Sequence, residues 1–540
     1  MLEGMSLGVA PSPGLIGSSA AFCASRVSEN SIYALLHREG GRLFGDDLFS
    51  DLFCDVGRRS VPPSIVAVVM VLQRVEGCSD REAVDRFAFD LRWKYAAGGL
   101  DFDFPGFVHT VLVDMRARLA DSKRPDRIFE VVLEVCRQAG LVGRRRVLDS
   151  TTLYDAVATM DTVTLVRSAI RGLLGACDGE LESQLRGLLE RDDDYRSAGK
   201  PVCDYEDPVA REALIDALAR DAHALLDALE GRDLDDVLSQ AVALLATVIG
   251  QDLQQGPDGT FAIVRGVAKD RVISTVDPEA RHGHKTRQRG FDGYKGHVAI
   301  DPDSEIITDT AVTAGNDGDA SAALDLLDGE LDQTDDPSTL QDAAPEGEAE
   351  PPLEVYGDSA YGAGAVLQAL SDAGATAMCR VQAPTNTDGR YTRDAFQIDL
   401  DAGTVTCPAA KTAAFGAPGK NGTRTARFAS CTACPLRSAC TASPTGRSIT
   451  IDAYEHLRAA ARQQQADPAW REAYNATRPT VERKFSHLMR RTHGGRRARM
   501  RGTTKIDADF RLLAGAINLK RLATLALTRS ANGAWKVKTA

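Results

Sequence analysis

Long apolar runs are missing from this 540-residue chain; the longest, Ile65 to Leu72, stops well short of the roughly 20 residues a membrane-spanning helix needs. The features of a secretory leader are not expected at the start either. Residues 1–25 are rich in Gly, Ala, Ser and Pro, without a charged start or an apolar block, and are expected to be a loose terminus on a cytosolic protein. The eleven cysteines show no secreted-type framework, so they are expected to be reduced thiols. Seven of them, Cys23, Cys54, Cys78, Cys136, Cys177, Cys203 and Cys379, are scattered and read as ordinary buried or incidental. Basic residues are outnumbered by acidic ones, 64 to 76, for a net charge of −12, and the stretch from Gly296 to Cys379 contains no Lys or Arg at all.

The distribution of charge matters more than its total. Acids crowd 317–354, while 478–520 carries twelve basic residues, among them Arg478, Arg483, Lys484, Arg490, Arg491, Arg496 and Arg497, against Glu482, Asp507 and Asp509. Such separation within one chain fits a nucleic-acid-binding face better than the net charge does. With 43% hydrophobic residues and this length, the chain is globular and long enough for several domains.

Residues 30–140 read as helical. Pro62-Pro63 leads into Ile65–Leu72, Gly77 stops that helix, and Ser79-Asp80-Arg81-Glu82 has the form of a capping box opening a second helix through Ala83, Phe87 and Leu91. A third helix is expected around 108–119, giving a helix-turn-helix outline. The run Val147–Asp149 reads as a buried strand end. Residues 160–250 return to helical spacing, with Val163, Val166, Ile170 and Leu173 on one face, and are expected to form a helical insertion. Strands over 294–300 and 306–312 flank Asp301-Pro302-Asp303-Ser304 and should pair as a hairpin. A mobile acidic loop is expected over 332–352, then a strand over 353–358, a helix over 363–373 and a strand over 376–381. Asp467-Pro468 starts a helix and Pro479 restarts it. Beyond it, Val481, Phe485, Leu488 and Met489 form an apolar stripe. Glu482 is expected at its edge toward the core, with Arg483, His487, Arg490 and Arg491 turned to solvent or DNA. A final helix is expected over 508–528. The pattern is that of a mixed α/β sheet.

Three acids in separate segments, Asp149, Asp358 and Glu482, are the candidate catalytic and metal-binding residues. Two strand-end aspartates and a helix glutamate can converge on divalent metal, and magnesium, a hard octahedral ion, calls for such oxygen donors. Singly, each has a plainer role: a strand-end aspartate is usually a turn cap, and a helix glutamate beside arginines a surface ion pair. A second candidate site is Cys407, Cys431, Cys434 and Cys440, where a Cys-x2-Cys pair with two flanking thiols is compatible with one structural zinc ion. The segment is poor in core residues, so a metal would help it fold, and it could present Lys411, Lys420, Arg424 and Arg427 to DNA.

Several motifs together resemble the bacterial insertion-sequence DDE transposases of the insertion-sequence-1182 type, with an InsH-like N-terminal domain and an RNase H-like DDE domain. They are Asp149-Ser150-Thr151, Phe291 to Ala299, Gly357-Asp358-Ser359-Ala360-Tyr361, Cys431 to Arg437, and Arg478 with Glu482. The resemblance runs from about Leu43 to about Leu525. Related enzymes often carry a Tyr-Arg-Glu-Lys pattern; here Tyr474, Arg478 and Glu482 approximate it with the tyrosine one place off, and Met489 occupies the lysine position, with Arg490 next.

This resemblance implies an α/β fold. Its core is an RNase H-like, five-stranded mixed sheet, preceded by an all-α domain and interrupted by helical and Cys-rich insertions. The expected divisions are a flexible 1–29, a helix-turn-helix-like DNA-binding domain over 30–140, and core over 141–398 with the helical insertion at about 156–260. A zinc-ribbon-like insertion over 399–446 and the rest of the core over 447–530 follow. The implied activity is binding of terminal inverted repeats, strand cleavage and strand transfer, using two Mg²⁺ or Mn²⁺ ions held by Asp149, Asp358 and Glu482. Lys295, His297 and Arg478 are candidates for the scissile phosphate, and Arg483, Lys484, Arg490, Arg491, Arg496 and Arg497 for DNA. The implied partners are double-stranded DNA and a second copy of the chain, at the bacterial nucleoid in the cytoplasm. A nuclease without strand transfer and a captured, DNA-binding-only derivative are the alternatives.

Overall fold

The computed structural model describes residues 17–538 apart from 55, 58, 287, 332–350, 386–387 and 420–421. Most of the acidic loop, the first sixteen residues of the expected loose terminus, and Lys420 lie outside the described residues. No helix among the described residues is long and apolar enough to cross a membrane.

A mixed six-stranded sheet forms the centre. Its strands are β1 (Arg145–Tyr154), β2 (Arg281–Thr286), β3 (Arg289–Ile300), β4 (Ile307–Ala314), β5 (Glu354–Gly357) and β6 (Thr376–Cys379). The order is β2-β3-β1-β5-β6, with β4 also paired to β3. β1 and β4 run antiparallel to β3, while β5 is parallel to β1 and β6 to β5. The expected hairpin is present as β3 and β4, pairing Val298 with Thr310. β2 is an addition to the expected strands. Its sequence, Arg-His-Gly-His-Lys-Thr, has no apolar alternation to announce a strand.

Strand parity divides the sheet into two faces. Val147, Val298 and Ile300 belong to one large core that also holds the N-terminal helices and the helices Pro479–Leu488 and Thr503–Thr524. Leu148 and Ala299 belong to a second core on the other face, closed by the helix Gly364–Asp372 and by Leu457 and Ala461. The N-terminal helices thus share a continuous core with the sheet. Within them, Pro63–Glu76 is apolar nearly all round and buried along most of its length, as a central helix must be. Gly77 ends it at φ +65°, where a Cβ would come within 2.5 Å of the Thr492 carbonyl oxygen. The Ser79–Glu82 capping box opens the next helix, which stops at Phe89 instead of reaching Leu91, because Asp90 caps a separate short helix, Leu91–Ala96.

The last long helix starts five residues before the sequence pattern suggests, at Thr503, and ends at Thr524. It locks onto β4 through buried Asn518, whose amide accepts from the Ile307 N–H (2.9 Å) and donates to the Ile307 carbonyl (2.8 Å). The region 162–252 folds into four helices around a core of its own. The Cys-rich region forms two small sheets, Gln397–Asp399 with Thr404–Thr406 and Thr412–Ala414, and Arg424–Arg427 with Ser448–Ile451.

Candidate active site

Asp149 lies in the middle of β1, where the sequence suggested a strand end. The twelve-residue β3 continues to pair with β1 as far as Tyr154, so the strand runs on. What ends nearby is β5: its last parallel partner on β1 is Tyr356 opposite Val147. Two residues further along the chain from that pair come Asp149, still on β1, and Asp358, one residue past the end of β5, so the register brings them to the same end of the sheet, near enough for the Asp358 charge to act on Asp149.

The helix Pro468–Thr477 and its successor Pro479–Leu488 cross this sheet end, with Arg478 at the junction. Three residues at spacing four run along them. The Tyr474 hydroxyl donates to the Gly357 carbonyl at 3.2 Å, beside Asp358. Arg478 Nη2 lies 2.9 Å from Asp149 Oδ2. Glu482, one turn on, is exposed, against the expectation that it faces the core. Val481, Lys484, Phe485 and Leu488 take the buried face of its helix, which leaves Glu482 on the open side with Arg483. It sits in the first turn of its helix, where a carboxylate is also favoured by the helix dipole.

Burial raises the Asp149 carboxyl pKa; Arg478 opposes this and the Asp358 charge adds to it. Arg478, though buried, is held above its ordinary value by Asp149. Only one arm of that guanidinium is used: its Nε and Nη1 are buried without a hydrogen-bond partner among the described residues. Buried donors without partners are rare in folded proteins and mark a place where another group belongs.

The other expected site residues divide. Lys295 and His297 do not join Asp149. His297 lies opposite Ser150 and Lys295 opposite Thr152, and successive residues of β1 point to opposite faces, so both project from the far side of the sheet. His297 is fully buried, Nε2 2.9 Å from the Thr313 hydroxyl, and burial lowers its pKa to about 4. Lys484, expected on the DNA side, is 1% exposed and faces Glu305, and burial lowers its pKa to about 8. It follows the apolar stripe inward, one turn after the buried Thr480. Arg483, Arg490, Arg491, Arg496 and Arg497 are exposed.

The basic segment that carries most of these arginines is fastened at both ends. The Tyr154 N–H donates to the Arg496 carbonyl and the Ala498 N–H to the Tyr154 carbonyl, extending the end of β1. On the other side, Arg74 donates to the His493 carbonyl and pairs with Asp509 at 3.1 Å, which joins the segment to the N-terminal helical turn.

Residues the sequence reading passed over are Asp319, Ser150 and the Tyr361 hydroxyl. Asp319 accepts from the Ser150 hydroxyl at 2.8 Å and from Lys295 at 2.7 Å. Nothing in its acid-crowded segment distinguishes it from its neighbours, whereas Ser150 and Tyr361 at least stood inside recognisable motifs.

The four clustered cysteines line one cavity with Phe396 and Phe428. Burial raises the Cys440 thiol pKa, with the charges of Cys431, Cys407 and Cys434 adding to it. The Cys431 sulfur also accepts from the Arg447 N–H at 3.4 Å. Among the described residues no three His, Cys, Asp or Glu side chains stand in an arrangement that would hold a metal ion, here or at the acids.

Comparison with known families gives two matches. Residues 406–523 match the transposase DDE domain, and residues 26–118 match a transposase domain (DUF772). The first includes Arg478, Glu482 and the four cysteines; Asp149 and Asp358 lie outside both. No curated protein and no solved structure matches the chain.

Proposed function

We infer that this chain, which its two matched domains support as an insertion-sequence DDE transposase, binds the terminal inverted repeats of its element, cuts there and joins the freed ends to target DNA. The observation that carries the reading is that the β1–β5 register, ending at Val147 opposite Tyr356, leads to Asp149 on one side and Asp358 on the other, beneath a helix that delivers Arg478 to Asp149 and Glu482 one turn later. Reading the sheet as β4-β3-β1-β5-β6 gives three antiparallel strands followed by two parallel ones, which supports an RNase H-like core with β2 as an extension.

The donors suit a hard cation. Magnesium is commonly held by one or two carboxylates, keeping waters and taking phosphate oxygens for the rest of its shell. Asp149 and Asp358 would provide the two carboxylates, and Glu482 a third from the rim. Two Mg²⁺ or Mn²⁺ ions bound there would supply Lewis-acid activation of the attacking oxygen and charge stabilisation at the leaving one. Arg478 has two buried nitrogens without partners among the described residues, a fitting hold for a scissile phosphate. The exposed Arg483, Arg490, Arg491, Arg496 and Arg497 then bind the flanking backbone. The working form is a dimer, since two element ends have to be brought together. The N-terminal helical turn, fixed to the same basic segment, extends the DNA surface. The four cysteines would hold a structural zinc ion, a thiolate set suited to that metal.

The test is an in vitro reaction of purified protein, Mg²⁺ and DNA bearing the gene's own flanking ends, wild type beside Asp149→Ala. Cleavage and joining by wild type alone are expected. Cleavage without joining favours a nuclease, binding with neither reaction a DNA-binding derivative, and joining by the variant removes Asp149 from the site.

A further inference from the structure

Ser150 ties the front of the sheet to its back. Its N–H donates to Asp149 Oδ1 at 2.9 Å, while its hydroxyl, on the opposite face, donates to Asp319 Oδ2 at 2.8 Å. Asp319 in turn holds Lys295, which donates to Asp319 Oδ1 at 2.7 Å and to the Asp317 carbonyl at 2.6 Å. The Lys295 and Asp319 side chains are 14% and 19% exposed, so this ion pair is set into the protein, unlike the weak pairs of an open surface.

Two buried polar atoms in the same layer lack partners among the described residues, the Tyr361 hydroxyl and His297 Nδ1. Tyr361 lies among the charges of Asp319, Asp149 and Asp358. Its own N–H donates to the Asp358 carbonyl at 3.2 Å, so it belongs to the turn that carries the second acid. Both acids are therefore backed by one polar layer centred on Asp319.

We propose that Asp319 is a positioning residue: through the Ser150 hydroxyl, and held by Lys295, it fixes the backbone and carboxylate of Asp149 in the orientation that receives a divalent cation. This rests on the reading of Asp149 as a metal-binding acid. Partners behind a ligating carboxylate orient it, and losing one commonly weakens metal binding by about 10-fold or more. An ion pair serving only to satisfy the core would, when removed, change stability and leave metal affinity alone.

The experiment is a Mn²⁺ titration of the full chain without DNA, followed by electron paramagnetic resonance, with thermal unfolding of each variant alongside. Wild type should show saturable binding that Asp149→Ala abolishes. Asp319→Ala should weaken it by about 10-fold. Asp319→Asn keeps an oxygen for the Ser150 hydroxyl and should restore much of the affinity. Ser150→Ala, which removes one hydroxyl and is the gentler change should Asp319→Ala not fold, should weaken binding in the same direction. Wild-type affinity in both Asp319→Ala and Ser150→Ala would overturn the proposal. If Asp149→Ala binds Mn²⁺ like wild type, the reading of Asp149 has failed first, and the role of Asp319 falls with it.

Discussion

Replacing Arg478 with Met keeps an unbranched apolar stem and removes the positive charge that faces Asp149. Arg478 and Asp149 are 2.9 Å apart with side-chain exposures of 11% and 16%, so water screens the pair poorly. Taking away one member of such a pair leaves a buried carboxylate uncompensated, here with Asp358 beside it, which costs about 3 kcal/mol. A divalent cation supplies the missing charge. At 100 times its dissociation constant a ligand specific for the folded state adds about 2.7 kcal/mol. The variant should gain at least as much as wild type, because no guanidinium competes for the acids. Urea unfolding of wild type and Arg478→Met, in metal-free buffer and in saturating Mn²⁺, therefore has a definite expectation: a deficit of about 3 kcal/mol without metal that shrinks when metal is added. A deficit of equal size in both buffers would mean that Arg478 acts as ordinary core packing. No deficit in metal-free buffer would mean that Asp149 is not held as an uncompensated charge. Either result refutes the electrostatic argument.

Asn518→Ala should cost about 2–4 kcal/mol in chemical unfolding, because it leaves the buried N–H and carbonyl of Ile307 without partners; a loss below the error of the measurement would show that water takes over both bonds. Burial, with Asp507 and Asp126 adding to it against Arg511, raises the Asp309 pKa to about 6. An acid whose folded pKa lies above its unfolded value favours folding while protonated, so this contribution should be lost as pH rises from about 4 to about 6. Asp309→Asn should flatten the stability profile in that window, and a profile identical to wild type would contradict the assignment. Protein purified without chelator should carry one zinc ion per chain by elemental analysis, absent from Cys434→Ser; wild type free of zinc would dismiss the structural-zinc reading.

The readings that survived from sequence to structure rest on local rules. Ser79 and Glu82 cap their helix, Gly77 ends the one before, Pro468 and Pro479 mark helix starts, and the turn at 301–304 joins the expected hairpin. Each depends on a few neighbouring residues whose hydrogen-bonding and backbone preferences are short-ranged. The candidate acids were legible for the same reason, since their flanking residues stand beside them in the chain. β2 was not, because its polar strand is held by pairing with β3 and not by any pattern of its own.

What tertiary structure alone decided is which of these residues meet. Asp149 and Asp358 are neighbours because β5 pairs in parallel with β1 in one register, a choice made between segments some two hundred residues apart. The same register sends Lys295 and His297 to the opposite face, where Asp319 waits. Strand parity alternates every residue, so a shift of one place would exchange the two faces. The sequence by itself determined the residue types, several helix caps and breaks, and the chemistry available. The pairing of strands, cooperative and long-range, decided which carboxylates come to the same end and the same face of the sheet.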